Sequence, residues 1–244
     1  MNSSHFIHPS SLSIIVPLYN EEDTIAENTT KLNHYFSKLS PLSAYEIILV
    51  ESGSTDHSPE ICDKLAQSLP NVKVIHEGKK NGYGSGIRTG LKQAQYEILT
   101  YVDSDSPCDL SHYARALEML QNTGCDAVLG YKLGKRESFS RWFFSKEYNW
   151  LTKLIFGLWN IKDVNFTFKL FRKEIYDQIQ LHSNGWFIDV ELLSELKKQR
   201  PKIKIGQIPI EYIHRQKGKS NVTINFKLIK GFLKEMWDYK FRKR

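Results

Sequence analysis

Short apolar runs alternate along this chain with segments whose apolar residues recur every three to four positions. LSIIVPLY (12–19), EIILV (46–50), VKVIH (72–76) and EILTYV (97–102) read as buried strands. Between them, residues 24–39 carry Ile25, Leu32, Tyr35, Phe36 and Leu39 at helical spacing. PEICDKLAQSL (59–69) reads as a helix with Pro59 in its first turn, and Ser85 to Gln95 as a third helix. A β-α-β-α-β-α-β order predicts an α/β protein, its mainly parallel sheet covered by helices on both faces. Beyond residue 124 the regularity weakens. CDAVLG (125–130), FTFKLF (166–171) and KIKIGQIPI (202–210) are expected as strands, and 141–159 and 187–199 as helices. Residues 224–244 form a basic amphipathic pattern. With no repeat, low-complexity tract or linker, the expectation is one domain over 1–222 followed by a C-terminal amphipathic helix over 223–244.

The polar residues at the strand ends add chemistry. In open α/β sheets, ligands sit beyond the carboxyl ends of the strands, where strand order reverses. Strand one is followed by Asn20-Glu21-Glu22, strand two by Glu51 to Asp56, and strand four by Asp103-Ser104-Asp105. Helix capping accounts for Glu21, Glu22 and Asp109. It accounts poorly for Asp103 and Asp105, two like charges closing a buried strand. Carboxylates in this D-x-D spacing suit a hard divalent cation, Mg2+ or Mn2+, that bridges phosphate oxygens. NGYGSGIRTGL (81–91) is no dinucleotide fingerprint, since Ile87 stands where the third glycine belongs, and it lacks the GK[ST] of a P-loop. Its glycines Gly82, Gly84 and Gly86 allow close backbone approach to a ligand at a helix start.

Charge and composition narrow the partners. A net charge of +7 and a pI near 9.1 favour an anionic partner. Nucleic acid is disfavoured, because the basic residues are not interleaved with a recognisable module. The cysteines Cys62, Cys108 and Cys125 are scattered, which suits a reducing compartment. The histidines show no zinc-site spacing, and His76 and His214 are expected as loop residues near the crevice. The N-terminus lacks a signal-peptide pattern, and no apolar run reaches the roughly 18–20 residues needed to cross a bilayer. The expected location is cytoplasmic, peripheral on the cytosolic face of a membrane. In the last segment Ile229, Phe232, Leu233, Met236 and Trp237 share a face flanked by Lys227, Lys230, Lys234 and Lys240. That pattern suits either an interfacial helix on an anionic membrane surface or a helix docked on the body. The aromatic stretch 148–161 admits core packing or lipid contact in the same way.

Taken together, SIIVPLYNEEDTI, ILVESGSTDHS, NGYGSGIRTGL, YVDSDS, DVNFTFKLFRKEIYD, FIDVELLSEL and IGQIPIEYIHRQKGKSNV resemble glycosyltransferase family 2, in its polyprenyl-phosphate (dolichyl-phosphate) mannose or glucose synthase branch. The motifs run in family order across residues 11–222. The resemblance implies a GT-A fold and a nucleotide-sugar donor. It puts Pro17, Tyr19 and Glu21 at the border of the nucleotide, and Glu51 against the base or ribose. Gly82 and Gly84 join the donor site, and Asp103 and Asp105 hold the metal and diphosphate. Lys132, Arg141, Ser145 and Asn149 meet the acceptor phosphate, and Arg215 and Ser220 lie on a loop closing over the donor. Three positions depart from the family pattern. Glu51-Ser52 replaces a usual Asp-Asp, Pro107 replaces a common Gln, and Lys132 replaces an Arg, exchanging a bidentate fork for a point charge.

The implied reaction is a metal-dependent displacement with inversion. A phosphate monoester acceptor is already an anionic nucleophile, whereas a hydroxyl acceptor requires a base. Asp189 is the best candidate base and Glu191 the second, with an ordinary helix face as the equal alternative. The leading expectation is transfer to a polyprenyl phosphate, with Asp105, Asp189 and Arg141 as catalytic residues. The alternatives are a glycan-hydroxyl transferase of surface polysaccharide assembly and a catalytically decayed membrane-peripheral binding protein.

Overall fold

The computed structural model describes residues 10–40, 42–104, 109–133, 139–199, 203–211 and 226–241, leaving aside the side chains of 139–145, 199 and 226–228. Strands β1 (Ser10–Leu18), β2 (Leu42–Glu51), β3 (Val72–His76) and β4 (Ile98–Tyr101) alternate with helices α1 (Ile25–Lys38), α2 (Ser58–Ser68) and α3 (Tyr83–Gln93). Then come α4 (Ser111–Thr123), β5 (Ala127–Leu133), α5 (Phe139–Phe156), β6 (Lys169–Arg172), the short α6 (Lys173–Tyr176), α7 (Ile188–Gln199), β7 (Ile205–Glu211) and α8 (Phe226–Phe241). Helix α4 follows Asp109, whose Oδ1 accepts from the Ser111 N–H at 2.9 Å, and its buried Tyr113, Ala116, Leu117 and Leu120 keep helical spacing. Gly124 ends it in the left-handed conformation (φ 63°), which a residue without Cβ adopts freely. His76 is the last residue of β3 rather than a loop residue, because its ring is drawn back onto the end of β2.

The seven strands form one sheet in the order β3-β2-β1-β4-β6-β5-β7. All run parallel except β6, which is antiparallel to both β4 and β5. Strand alternation sorts side chains to two faces. Leu12, Ile14, Val16 and Leu18 of β1 pack with α1, α2 and α4, while Ile15 packs with α3 and α7 on the opposite face. The first crossovers, through α1 and α2, build outward from β1 to β3. Crossover α3 returns past them to set β4 on the other side of β1. A right-handed connection in the reverse direction must use the opposite face, and α3 does. The order therefore reverses between β1 and β4, which puts the crevice above Leu18 and Asp103.

A third apolar cluster lies toward the β5–β7 end. Leu129, Leu158, Val164, Phe187, Val190 and Tyr239 are buried there, with Tyr148, Phe156, Phe232 and Met236 packed on them. Helix α8 is thus docked by one face, and Tyr148 and Phe232 meet edge to face at 4.2 Å. Its other face leaves Leu233, Trp237 and Phe241 exposed at i, i+4 and i+8. Among the described residues, no helix is long and apolar enough to cross a membrane.

Candidate active site

The ends of β1 and β2 are laced together by polar contacts. Asn20 takes a left-handed backbone (φ 54°), which its short amide side chain tolerates. Its N–H donates to Ser54 Oγ (3.0 Å) and its Oδ1 accepts from the Thr55 N–H (2.8 Å). Pro17 is buried beneath this turn, and Tyr19 is half-buried with the Lys80 ammonium 3.6 Å from its ring centroid. Glu21 caps α1 through its carbonyl, which accepts from the Thr24 and Ile25 N–H groups. Its carboxylate accepts from the Thr24 hydroxyl at 2.9 Å.

Glu51 is buried at the end of β2. One carboxylate oxygen accepts from the Ser54 N–H and the other lies 3.0 Å from His76 Nδ1, whose Nε2 in turn reaches Asp63 at 3.1 Å. Burial pushes the Glu51 carboxyl up, but the Ser54 N–H, the His76 ring and the Ser54 hydroxyl outweigh it and hold the group below its usual range. The Glu51 hydrogen bond is the main reason the His76 ring is pushed up, with Asp63 adding to it against the opposing effect of burial. Ser52, where the family pattern has an acid, donates to Glu77 at 2.8 Å. Glu77 also accepts from Ser85 (2.9 Å) and Thr89 (2.7 Å), so a carboxylate stands one hydrogen bond from position 52.

Asp103, two residues past β4, has its carboxylate held from two sides. Tyr83 at the first turn of α3 donates to Oδ1 at 2.8 Å, and Thr167, just before β6, donates to Oδ2 at 3.3 Å. Burial, then the charges of Asp103 and Asp189, push the Tyr83 phenol far up, so it remains a protonated donor. Among the described residues, no group of three or more His, Cys, Asp or Glu side chains could hold an ion by itself. A single pinned carboxylate with hard oxygen donors fits Mg2+ or Mn2+, which take one or two carboxylates and complete their shell with substrate phosphates. Asp105 and Pro107 lie outside the described residues.

The glycines of the 81–91 segment are crowded by the chain's own backbone. Gly82 has φ 100°, and a Cβ there would strike the Asn184 carbonyl. A Cβ at Gly84 would lie 2.6 Å from the Gly185 carbonyl oxygen and 2.7 Å from that of Ser183. Instead the Gly84 N–H donates to the Asn184 carbonyl at 2.8 Å. The close approach expected of a ligand at these two glycines is thus made by the turn at 183–185. Trp186 in the same turn stacks on Tyr83 (4.4 Å between centroids, 13° between planes).

Asp189, in the first turn of α7, is buried against β4 and β6. Its Oδ1 accepts from Tyr101 (2.5 Å) and from the buried Lys169 ammonium (2.6 Å). Lys169 also donates to the Phe166 carbonyl. Burial pushes the Asp189 carboxyl up, and the Lys169 charge and hydrogen bond with the Tyr101 phenol pull it only part of the way back. Glu191, the second candidate base, accepts the N–H groups of His182 (3.1 Å) and Ser183 (2.7 Å). A hydrogen-bonded loop end is its visible function.

The residues expected to meet an acceptor phosphate, Arg141, Ser145 and Asn149, all fall within α5, as their spacing of four requires for one face. The side chains of Arg141 and Ser145 lie outside the described residues. The Asn149 amide ties down the following turn: its Nδ2 donates to Asp163 (3.2 Å) and its Oδ1 accepts from the Val164 N–H (2.9 Å). Lys132 is half-buried near the end of β5, opposite Ile210 of β7. Arg215 and Ser220 lie outside the described residues. Sequence reasoning missed Tyr83, Tyr101, Thr167, Lys169 and Trp186. Lys169 left a readable sign, since a lysine inside the apolar strand pattern FTFKLF demands a buried acid. Tyr83 sits among the glycines without any such sign.

Residues 13–180 match the family described as Glycosyl transferase family 2. The chain is 28% identical over 221 residues to glycosyltransferase AglD of Haloferax volcanii, a match covering 87% of this chain and 34% of that protein. It is 26% identical over 217 residues to a dolichol-phosphate mannosyltransferase of Pyrococcus furiosus, covering 86% of this chain and 59% of that one. The chain thus spans between about a third and three fifths of the length of these two relatives. A crystal structure of glucosyl-3-phosphoglycerate synthase from Mycobacterium tuberculosis, in complex with Mn2+, UDP and phosphoglyceric acid, superposes with a TM-score of 0.70 at 15% identity. That superposition covers 96% of this chain and 80% of the other, and the shared architecture is the GT-A fold. The family match runs from within β1 through β6, with Pro17, Glu51, Tyr83, Asp103 and Lys169 inside it, and the chain belongs to glycosyl transferase family 2.

Proposed function

We propose that the chain transfers a sugar from a nucleoside diphosphate sugar to a polyprenyl phosphate at a membrane surface, with inversion at the anomeric carbon. The observation that carries this reading is Asp103, fixed by Tyr83 and Thr167 where strand order reverses. The P. furiosus relative carries a dolichol-phosphate acceptor in its name, and the M. tuberculosis neighbour was crystallised with Mn2+ and UDP.

In this reading Tyr19 and Glu51 border the nucleoside, Asp103 faces the diphosphate, and Asp105 is assigned to the same role from the D-x-D pattern alone. Mg2+ or Mn2+ bound there would offset the charge that builds on the leaving diphosphate. Lys132, Arg141 and Ser145 hold the acceptor phosphate, one of whose oxygens attacks the anomeric carbon. The glycosidic C–O bond breaks and its electron pair leaves with the nucleoside diphosphate. No base is needed, because the nucleophile is already an anion. That agrees with Asp189, whose Oδ1 already accepts from Lys169 and Tyr101 in a buried pocket.

The outer face of α8, with Leu233, Trp237 and Phe241 beside Lys230, Lys234 and Lys240, suits an anionic lipid surface that carries such an acceptor. Exposed Trp150 and Leu154 of α5 and Trp159 just beyond it add apolar area on the helix against which α8 packs. The test is incubation of the protein and Mn2+ with UDP- and GDP-sugars, offering polyprenyl phosphate in mixed micelles or soluble glycans. A sugar-phosphate-linked lipid that forms only with Mn2+ or Mg2+ is the expected product. Transfer to glycan hydroxyls with none to the lipid phosphate would move the acceptor to a hydroxyl.

A further inference from the structure

The turn at 184–187 is gripped from behind by the C-terminal helix. Glu235, on the inward face of α8, accepts three consecutive-region backbone N–H groups: Asn184 (3.1 Å), Gly185 (2.7 Å) and Phe187 (3.4 Å). Gly185 lets it come this close, since a Cβ there would lie 2.7 Å from the carboxylate and the Glu235 side chain would have to shift. From its other side the same turn engages α3. The Asn184 carbonyl accepts from Gly84 (2.8 Å) and Ser85 (3.3 Å), Asn184 Oδ1 accepts from Arg88, and Trp186 stacks on Tyr83. Tyr83 then donates to Asp103 at 2.8 Å. A continuous series of contacts therefore runs from Glu235 through the turn and the start of α3 to the carboxylate at the crevice.

We infer that Glu235 is a positioning residue for the donor and metal site, acting on Asp103 through the 184–187 turn and Tyr83. The inference rests on the donor reading of Asp103 given above. It makes α8 part of the donor site, although Glu235 and the turn both lie beyond the matched residues 13–180. The physical argument is one of anchoring. Three N–H groups converge on one carboxylate, and charge-assisted hydrogen bonds are the stronger kind. With the carboxylate gone, water can satisfy these N–H groups but cannot fix where the turn sits. Trp186 then loses its register on Tyr83, and Asp103 loses an oriented donor. Partners of metal-binding side chains typically contribute about 10–100-fold to metal affinity or activity.

Two measurements on the full chain test this. The first needs no ligand: hydrogen exchange at the Gly84 and Ser85 amides, with the β1 amides as an internal standard. Glu235→Ala should speed exchange at Gly84 and Ser85 by about tenfold, the scale of one lost charged hydrogen bond, and leave β1 unchanged. Glu235→Gln, which keeps one acceptor oxygen, should recover part of the protection. Unchanged exchange at Gly84 and Ser85 in Glu235→Ala would overturn the inference. The second measurement is calorimetric binding of UDP and of GDP with Mn2+, which reads the donor side without turnover or acceptor. Glu235→Ala and Tyr83→Phe should each weaken the nucleotide that wild type binds by about tenfold or more, and the double variant should be no worse than Tyr83→Phe. Additive losses would overturn the route through Tyr83. If wild type binds neither nucleotide while the exchange result holds, the donor reading fails and the anchoring by Glu235 stands.

Discussion

The half of the molecule built on β1 to β4 and the half built on β5 to β7 solve different problems with similar material. In the first half the strand ends are stitched by hydroxyls, amides and carboxylates: Asn20 with Ser54 and Thr55, Glu51 with Ser54 and His76, and Glu77 with Ser52, Ser85 and Thr89. In the second half the space above the sheet is filled by rings, Tyr148 on Phe232 and Phe156 on Phe187 and Tyr239, and the helices that carry them keep large apolar side chains in the open. A polar crevice with fixed donors suits a charged, water-soluble ligand. A helical layer with exposed Trp and Leu suits contact with an apolar phase. The buried Lys169–Asp189 pair of β6 and α7 lies at the boundary, where the Tyr101 hydroxyl of β4 donates to Asp189 from the first half.

The largest effect is expected at the crevice. Asp103→Ala should lower sugar transfer by about a thousandfold, roughly 4 kcal/mol of transition-state stabilisation, read as kcat/KM with saturating Mn2+. Near-normal transfer by that variant would take the charged ligand away from the β4 end. At the seam, Lys169→Met leaves the Asp189 carboxylate buried without its counter-charge and should cost about 3 kcal/mol in urea unfolding. The double variant Lys169→Met with Asp189→Leu should recover most of that, because an apolar pair carries no charge to desolvate. If Lys169→Met unfolds like wild type, the buried Asp189 carboxylate does not depend on this counter-charge.

Smaller effects sharpen the contrast. Trp237→Ser with Phe241→Ser should weaken binding to anionic vesicles about tenfold in a sedimentation assay. Nucleotide binding should stay as in wild type, since both residues lie on the face of α8 opposite Tyr239. A parallel loss of nucleotide binding would show that the two faces are not separate. The smallest effect concerns the Glu51–His76 contact. Glu51 is held below its ordinary 4.5, so its stabilisation is present above that value and is lost as pH falls through the depressed one. His76 is held above its ordinary 6.5, so its stabilisation is full below that value and is lost as pH rises through the raised one. Unfolding free energy should therefore decline as pH rises above about 6.5 and through the raised His76 value, and His76→Gln should flatten that decline. An unchanged slope in His76→Gln would assign the pH dependence to another group.

Much of this was legible in the chain. Each of the seven strands follows an apolar run readable in the sequence, because buried strands need continuous or alternating apolar residues over a few positions. Asp103 was legible as well, since an acid closing such a run has no packing reason to be there. The reversed direction of β6 was not, because FTFKLF has the same pattern in either direction. Gly82 and Gly84 announced a close approach but not its partner, which is the backbone of the turn at 183–185. Asp189 read as a base or a helix-face acid, and only its burial against Lys169 and Tyr101 shows what holds its charge.

The strands, most of the longer helices though not α4, the family and the crevice acid are readable from the sequence, because periodicity and strand-end chemistry are local and survive in one dimension. The tertiary structure alone decided which side chains hold that acid and which residues far along the chain support them. Tyr83, Thr167 and Glu235 are separated from Asp103 by 20, 64 and 132 positions. A hydrogen bond acts over about 3 Å and leaves no periodic mark in the sequence, so such partners appear only once the chain is folded.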